Sequence, residues 1–280
     1  MTPIELKRAL SRYHKFLIVD RGVTRITAEG YCRTLRPVLK KLKSVRPTHA
    51  AIRKHLFWMH QRHYSYSHVL NTVLTLEAYT LHRGYPIKLG RAKKPRRLIP
   101  QTLSEAEVSR IIQAATDIRQ RALVALLAFS GLRNQELCSL RVRQLDPARN
   151  ALTILGGKGQ KDRLVNISAD CTKMLLAYLT DFPRSGDAHL FTTLRHNRPL
   201  QTGDVRKIVR TIAAAADIKR RVHPHLFRHS LATNLLARGA SLLTIREQLG
   251  HAFIESTMIY THPMPARARA EYDYFKPAYL

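Results

Sequence analysis

Four short segments combine side chains able to neutralise an anion, carry a proton or act as a nucleophile with apolar or glycine-rich neighbours that would hold them in place. Ser130-Gly131-Leu132-Arg133-Asn134-Gln135-Glu136-Leu137 sets a cation behind an apolar run and a glycine. Gly156-Gly157-Lys158-Gly159 offers a flexible ammonium, with Lys161 close behind, and spacing does not choose between the two lysines. His225-Leu226-Phe227-Arg228-His229 places His225 and Arg228 three apart, so a helix would point both the same way, and Pro224 suits the first helical position. Leu249-Gly250-His251 is followed nine residues after His251 by Tyr260, in Tyr260-Thr261-His262.

Taken singly, each segment also has an ordinary reading. Arg133 could be a surface arginine paired with Glu136 at i+3, and Lys158 a solubilising hairpin tip. Most tyrosines placed like Tyr260 are half-buried packing residues. His229, beside Arg228 in an apolar segment, reads as a hydrogen-bonded structural histidine, and His223 carries no assignment. A zinc site at His225 and His229 lacks the HExxH carboxylate or a cysteine pair. The glycine-rich loop lacks the GxxxxGK[ST] spacing, so ATP binding is not supported.

The elements that would carry these residues can be read from pattern. Thr2-Pro3-Ile4-Glu5 is a capping box with proline at the first helical position, and Leu6, Leu10, Tyr13 and Leu17 then share a face. Tyr31, Leu35, Val38 and Leu42 fit a second helix. Ile52, Leu56 and Met59 fit a third from Thr48, and Leu70, Val73 and Leu74 a fourth from about Ser67. Gly90 to Pro100 holds two prolines and five cations, the signature of an extended basic linker. A second capping box, with a Leu103–Val108 staple, starts a new domain, and Ala122 to Phe129 is a buried helix. Residues 151–155 and 163–167 flank the glycine-rich tip as a β-hairpin, and helical patterns return around 169–181, 204–217, 225–238 and 241–249.

Composition narrows the partner. The 280 residues hold 48 Lys and Arg against 19 Asp and Glu, a formal charge of +29. Residues 1–100 hold 22 cations and 4 acids, whereas 101–280 hold 26 and 15, so a basic module precedes a better-balanced one. Such a charge is relieved by a polyanion. No apolar run approaches the roughly 18 residues of a membrane span, and no signal-peptide order opens the chain, so a cytoplasmic protein is expected. Cys32, Cys138 and Cys171 are widely spaced and unpaired by motif, so reduced structural thiols are expected.

In chain order, Arg133, Lys158, His225 with Arg228, His251 and Tyr260 closely resemble the active-site set of the tyrosine recombinase (phage integrase) family, especially its compact Xer-like members. The likeness covers about Leu103 to His262 and includes the framing residues Glu136-Leu137, Lys161, Arg163 and Ala232-Thr233. It implies a mainly α fold with a small antiparallel sheet, forming a two-domain DNA clamp. The implied parts are a helical core-binding (SAM-like) domain over 1–90, a basic linker over 91–101, a catalytic domain over 102–262 and a tail over 263–280 that docks on a neighbouring protomer or folds back. It also implies Tyr260 as nucleophile, Arg133, Arg228 and His251 as phosphate donors, His225 as base and Lys158 as acid, with no metal or cofactor. Glu136 and Asp162 would orient the arginine and shape the turn. Arg91, Lys93, Lys94, Arg96, Arg97 and Lys161 are further DNA-contact candidates. Expected partners are double-stranded DNA, other copies in a tetrameric synapse and accessory DNA-binding proteins, in a nucleoid-associated setting. A type IB topoisomerase and a DNA-binding regulator using Ser241 to Tyr260 as a helix-turn-helix are the rival readings.

Overall fold

The computed structural model describes residues 1–91, 102–156 and 162–250. The chain divides into two compact units, Met1–Leu98 and Ile99–Leu280, so the division falls within the basic segment. The first is built from α1 (Pro3–Val19), α2 (Arg25–Leu42), α3 (His49–Gln61) and α4 (Tyr66–His82). Side-chain oxygens of Thr2, Thr24, Thr48 and Ser65 cap the four N-termini, and Thr2 with Glu5 forms the expected reciprocal box.

Leu6, Leu10, Tyr13 and Leu17 are all buried, as their spacing predicts. On α4 the buried stripe is Val69, Thr72, Val73, Leu76 and Tyr79, while Leu70 and Leu74 are only half-buried. The buried face also carries hydrogen bonds that an apolar pattern does not show. The Tyr13 hydroxyl donates to Thr75 O at 3.2 Å, and the Tyr79 hydroxyl donates to Val45 O at 2.8 Å. Glu77 ties the end of this unit back to α4 by accepting from Leu89 N at 3.0 Å and lying 3.4 Å from Arg91.

The second unit contains α5 (Glu105–Gln113), α6 (Ile118–Ser130) and α7 (Asn134–Ser139), then a 3-10 turn at Val142–Gln144. A sheet of β1 (Leu145–Asp146), β2 (Ala151–Ile154) and β3 (Arg163–Asn166) follows, then α8 (Ala169–Asp181), α9 (Thr202–Ala215), α10 (Pro224–Ala237) and α11 (Leu242–Leu249). The sheet is antiparallel in the order β1-β2-β3, with Ala151 opposite Asn166 and Ile154 opposite Arg163. The fold is thus mainly α with a small antiparallel sheet, as expected. The hairpin strands match the sequence reading, whereas the two-residue β1 has too few side chains to show alternation. Helix α9 begins two residues earlier than its apolar pattern, because Asp204 reaches back to Gln201 N at 2.9 Å.

Helix α6 is the axis of the core, since Ala122 through Leu127 are fully buried around its whole circumference. Helices α5, α8 and α10 pack around it, and β3 touches it. The start of the unit is fastened to α10 and the turn before it. Leu103 N donates to Ser230 Oγ at 2.7 Å, Arg238 forks onto Glu105, and Arg220 donates to both Thr102 O and Glu107. Among the described residues, no helix is long and apolar enough to cross a membrane.

Because α6 is buried on every side, Leu127→Ala should leave a cavity the surrounding helices cannot close. A loss of about 2–5 kcal/mol is expected in urea unfolding. An exposed position such as Leu243, half-exposed on α11, should change by less than about 0.5 kcal/mol when replaced by alanine.

Candidate active site

The site grows from two helix C-termini. Helix α6 ends at Gly131 and α11 at Gly250, both left-handed, with φ of 63° and 64°. The terminal carbonyls of a helix lack intrahelical donors and carry the negative end of its dipole, so they favour cations. Arg228, only 5 % exposed, donates through one terminal nitrogen to Gly131 O and through the other to Leu249 O, each at 2.7 Å. Arg133 donates to Gly250 O at 2.8 Å. Two arginines nearly a hundred residues apart are thereby held at adjoining helix ends.

Arg133 stands at the start of α7. It is the N-cap residue of α7, in extended backbone, because the left-handed Gly131 ends α6 and turns the chain before α7 starts. Glu136 accepts from the Arg133 backbone N–H and from its guanidinium, both at 2.8 Å. The same carboxylate receives a bidentate fork from Arg163 at 3.0 and 2.8 Å. Glu136 therefore orients Arg133, as its spacing suggested, and also bridges to Arg163. Burial acts to raise its pKa, but the hydrogen bonds from Arg163 and Arg133 overcome this and hold it down at about 2. Both glycines are steric requirements. A Cβ on Gly131 would come within 2.6 Å of the Leu249 side chain, and one on Gly250 within 2.6 Å of the Arg163 guanidinium.

Helix α10 supplies Arg228 and, one turn earlier, His225. His223 caps that helix by accepting from Leu226 N through Nδ1 at 3.2 Å, and Pro224 takes the first helical position. His225 is exposed in the first turn, yet its pKa lies below the ordinary 6.5. Partial desolvation is the largest cause, followed by the charges of Arg228, His223, Arg133 and Arg206. The neutral imidazole is thus favoured beside Arg133 and Arg228. His229 is half-buried one turn on, and burial followed by the charge of His225 lowers its pKa as well. Among the described residues there is no cluster of three or more His, Cys, Asp or Glu able to hold a metal.

The structure brings Arg133, His225 and Arg228 into one neighbourhood. Lys158, Lys161, His251 and Tyr260, together with Lys93, Lys94, Arg96 and Arg97, lie outside the described residues. The hairpin neck is described, and Asp162 closes it by accepting from Gly156 N at 2.7 Å. Sequence reasoning gave no function to Arg163, Arg206 or His223. Arg163 had one available signal, a cation on the strand descending from the tip, but its carboxylate partner is remote in sequence.

The second unit is thus mainly helical with a three-stranded antiparallel sheet, and it holds two arginines at adjoining helix ends. The chain belongs to the phage integrase family, whose model matches residues 101–267. It is 32 % identical to tyrosine recombinase XerA of Pyrococcus horikoshii over 238 residues, 83 % of this chain and 77 % of that protein. It is 31 % identical to tyrosine recombinase XerC of Xanthomonas campestris pv. campestris over 271 residues, 91 % of this chain and 84 % of that protein. The crystal structure of XerA recombinase matches with a TM-score of 0.57 and 28 % identity, covering 98 % of this chain and all of that one. The Tn1549 transposon integrase in complex with transposon right-end DNA shares the fold, with a TM-score of 0.74 at 16 % identity over 96 % of this chain and 99 % of that one. The protein is accordingly a tyrosine-type site-specific recombinase, and the topoisomerase and regulator readings are not favoured.

The Glu136 carboxylate has its pKa depressed in the fold, so its stabilisation is fully present above its ordinary value of 4.5 and is lost as pH falls toward about 2. Wild-type protein should lose on the order of 3 kcal/mol across that window. Glu136→Gln should be less stable at neutral pH and show a shallower acid slope in denaturant titrations. Equal slopes for the two proteins would remove Glu136 as the titrating group.

Proposed function

We propose that the protein cleaves and rejoins duplex DNA through a covalent 3′-phosphotyrosyl link formed by Tyr260. The observation that carries this reading is the arginine pair beside a histidine kept neutral. Arg133 and Arg228 are immobilised on helix-end carbonyls before any ligand arrives, and two guanidinium charges fixed side by side suit the negative charge of a phosphodiester. Preorganised donors of this type stabilise the charge that builds on phosphorus substituents in the transition state.

In the proposed step the Tyr260 oxygen forms a bond to phosphorus while the bond from phosphorus to the 5′-oxygen breaks. The phenolic proton passes to His225, whose depressed pKa keeps it free to accept. The departing 5′-oxygen takes a proton from Lys158, and His251 adds a third phosphate donor. The phosphodiester bond energy is retained in the protein–DNA link, so the reverse reaction with the 5′-hydroxyl of a partner strand rejoins DNA without an external energy source.

The first unit is read as the core-binding domain and 102–262 as the catalytic domain, joined by the basic segment 91–101. Its cations Arg91, Lys93, Lys94, Arg96 and Arg97, with Lys161 at the hairpin tip, would neutralise backbone phosphates. Duplex DNA is the partner this charge supports, with four copies in a synapse, accessory proteins in some reactions and the tail 263–280 docking between copies. Activity on DNA would place the protein with the nucleoid.

Tyr260→Phe should fold and bind DNA as wild type does but form no covalent adduct on a nicked suicide duplex. An adduct in that variant, mapped to Tyr272, Tyr274 or Tyr279, would move the nucleophile. A neutral His225 is the competent base, so single-turnover cleavage should stay constant from neutrality down past the ordinary value of 6.5 and fall only below it. Loss of rate centred above that value would contradict the depressed pKa, and His225→Ala should erase the acid limb.

A further inference from the structure

The first unit carries its acids at the margins of its chain. Glu5, Asp20, Glu29 and Glu77 leave residues 30–76 with none, against nine Lys and Arg and five His in the same stretch. That stretch covers most of α2, all of α3 and most of α4. Three of the four acids are already engaged, Glu5 by the amino terminus, Glu29 by Arg25 and Glu77 by Arg91.

Within the acid-free stretch two cations meet at one ring. Trp58, the chain's single tryptophan, is half-buried on α3, with the Lys41 ammonium over its face and the Arg62 guanidinium carbon 6.0 Å from its centroid. The buried His55 stacks beside it at 5.7 Å and 20°, and Tyr64 lies 5.6 Å away on the other side of the α3–α4 turn. Lys41 belongs to the last turn of α2 and Arg62 is the C-cap of α3, so the negative ends of two helix dipoles meet the same pair. The two cations feel each other. Partial desolvation first, and the charge of Arg62 second, pull the Lys41 ammonium below its ordinary range. Stability alone does not call for this arrangement, since Lys40 answers the α2 dipole from the same turn and His55 and Tyr64 already brace the ring. Both charged side chains are exposed, and among the described residues neither forms an ion pair, so one anion can meet both.

We infer that Lys41 and Arg62, held against Trp58, form a binding site on the first unit for a backbone phosphate of duplex DNA, an assignment that rests on duplex DNA being the protein's partner. A phosphate there relieves the repulsion between the two cations and releases its own counterions. The ring and the helix ends orient both side chains beforehand, so less freedom is lost on binding. The contact positions the duplex and reads no base.

The test uses the full chain and a fluorescein-labelled random-sequence duplex, with affinity followed by anisotropy over a salt series. One neutralised phosphate contributes about 0.9 to the log–log slope. The double variant Lys41→Gln/Arg62→Gln should flatten the slope by about that amount, whereas Lys41→Arg/Arg62→Lys, which keeps both charges, should not. Arg25→Gln removes an exposed cation of the same unit that is paired with Glu29, and its slope should match wild type. Trp58 emission reports on the site itself: it should change as duplex saturates the wild type and stay constant in the glutamine double variant. If thermal melting shows that variant unfolded, Lys41→Gln and Arg62→Gln singly carry the comparison, each flattening the slope. An unchanged slope in the glutamine variants, an equal loss in Arg25→Gln, or wild-type emission indifferent to saturating duplex would overturn the inference. A flat salt response of the wild type is a separate outcome, in which duplex DNA fails as the partner and the inference falls with it.

Discussion

The arrangement depends on orphaned helix carbonyls meeting guanidinium groups. Helices α6 and α11 each end on a left-handed glycine, which leaves their last carbonyls facing outward and in need of donors. Arg228 and Arg133 supply them. In return, two side chains with long flexible stems lose their rotational freedom during folding and not during ligand capture. The direction of dependence matters: a helix end satisfied by water would leave the arginines mobile, and mobile arginines would have to be ordered by the phosphate itself.

Concentrated positive charge also has to be tolerated in the absence of DNA. Arg133, Arg163 and Arg228 lie together with His225 under the influence of Arg206, and Glu136 is the carboxylate that forks onto two of them. Its depressed pKa measures how strongly it is held. Because Glu136 engages Arg133 from the backbone side of the N-cap as well as through the guanidinium, it balances charge while fixing direction. His225 feels partial desolvation first and the surrounding cations second, and both lower its pKa and favour the neutral imidazole.

Much of this was legible in the sequence where the determinants are local. The caps at Thr2 and Ser104, the buried α6, the hairpin strands and the shared face of His225 and Arg228 all follow from spacing within one turn or one strand. The Glu136 contact was legible too, being a three-residue relation. What could not be read were pairings between distant segments. Arg163 finds Glu136, Gln248 finds Asn166, and Tyr13 finds Thr75 only after the chain has folded. The α4 stripe shows the same limit, since an apolar period does not reveal the tyrosine hydroxyls that bond to distant carbonyls on its buried face.

The fastening of residues 102–107 to α10 and Arg220 has a further consequence. The second unit is anchored near its start by its own hydrogen bonds and ion pairs, through the buried Leu103 and through Glu105 and Glu107. The point where the chain enters this unit is thus specified from within, by contacts that all belong to the unit itself, as a keystone is held by its own arch.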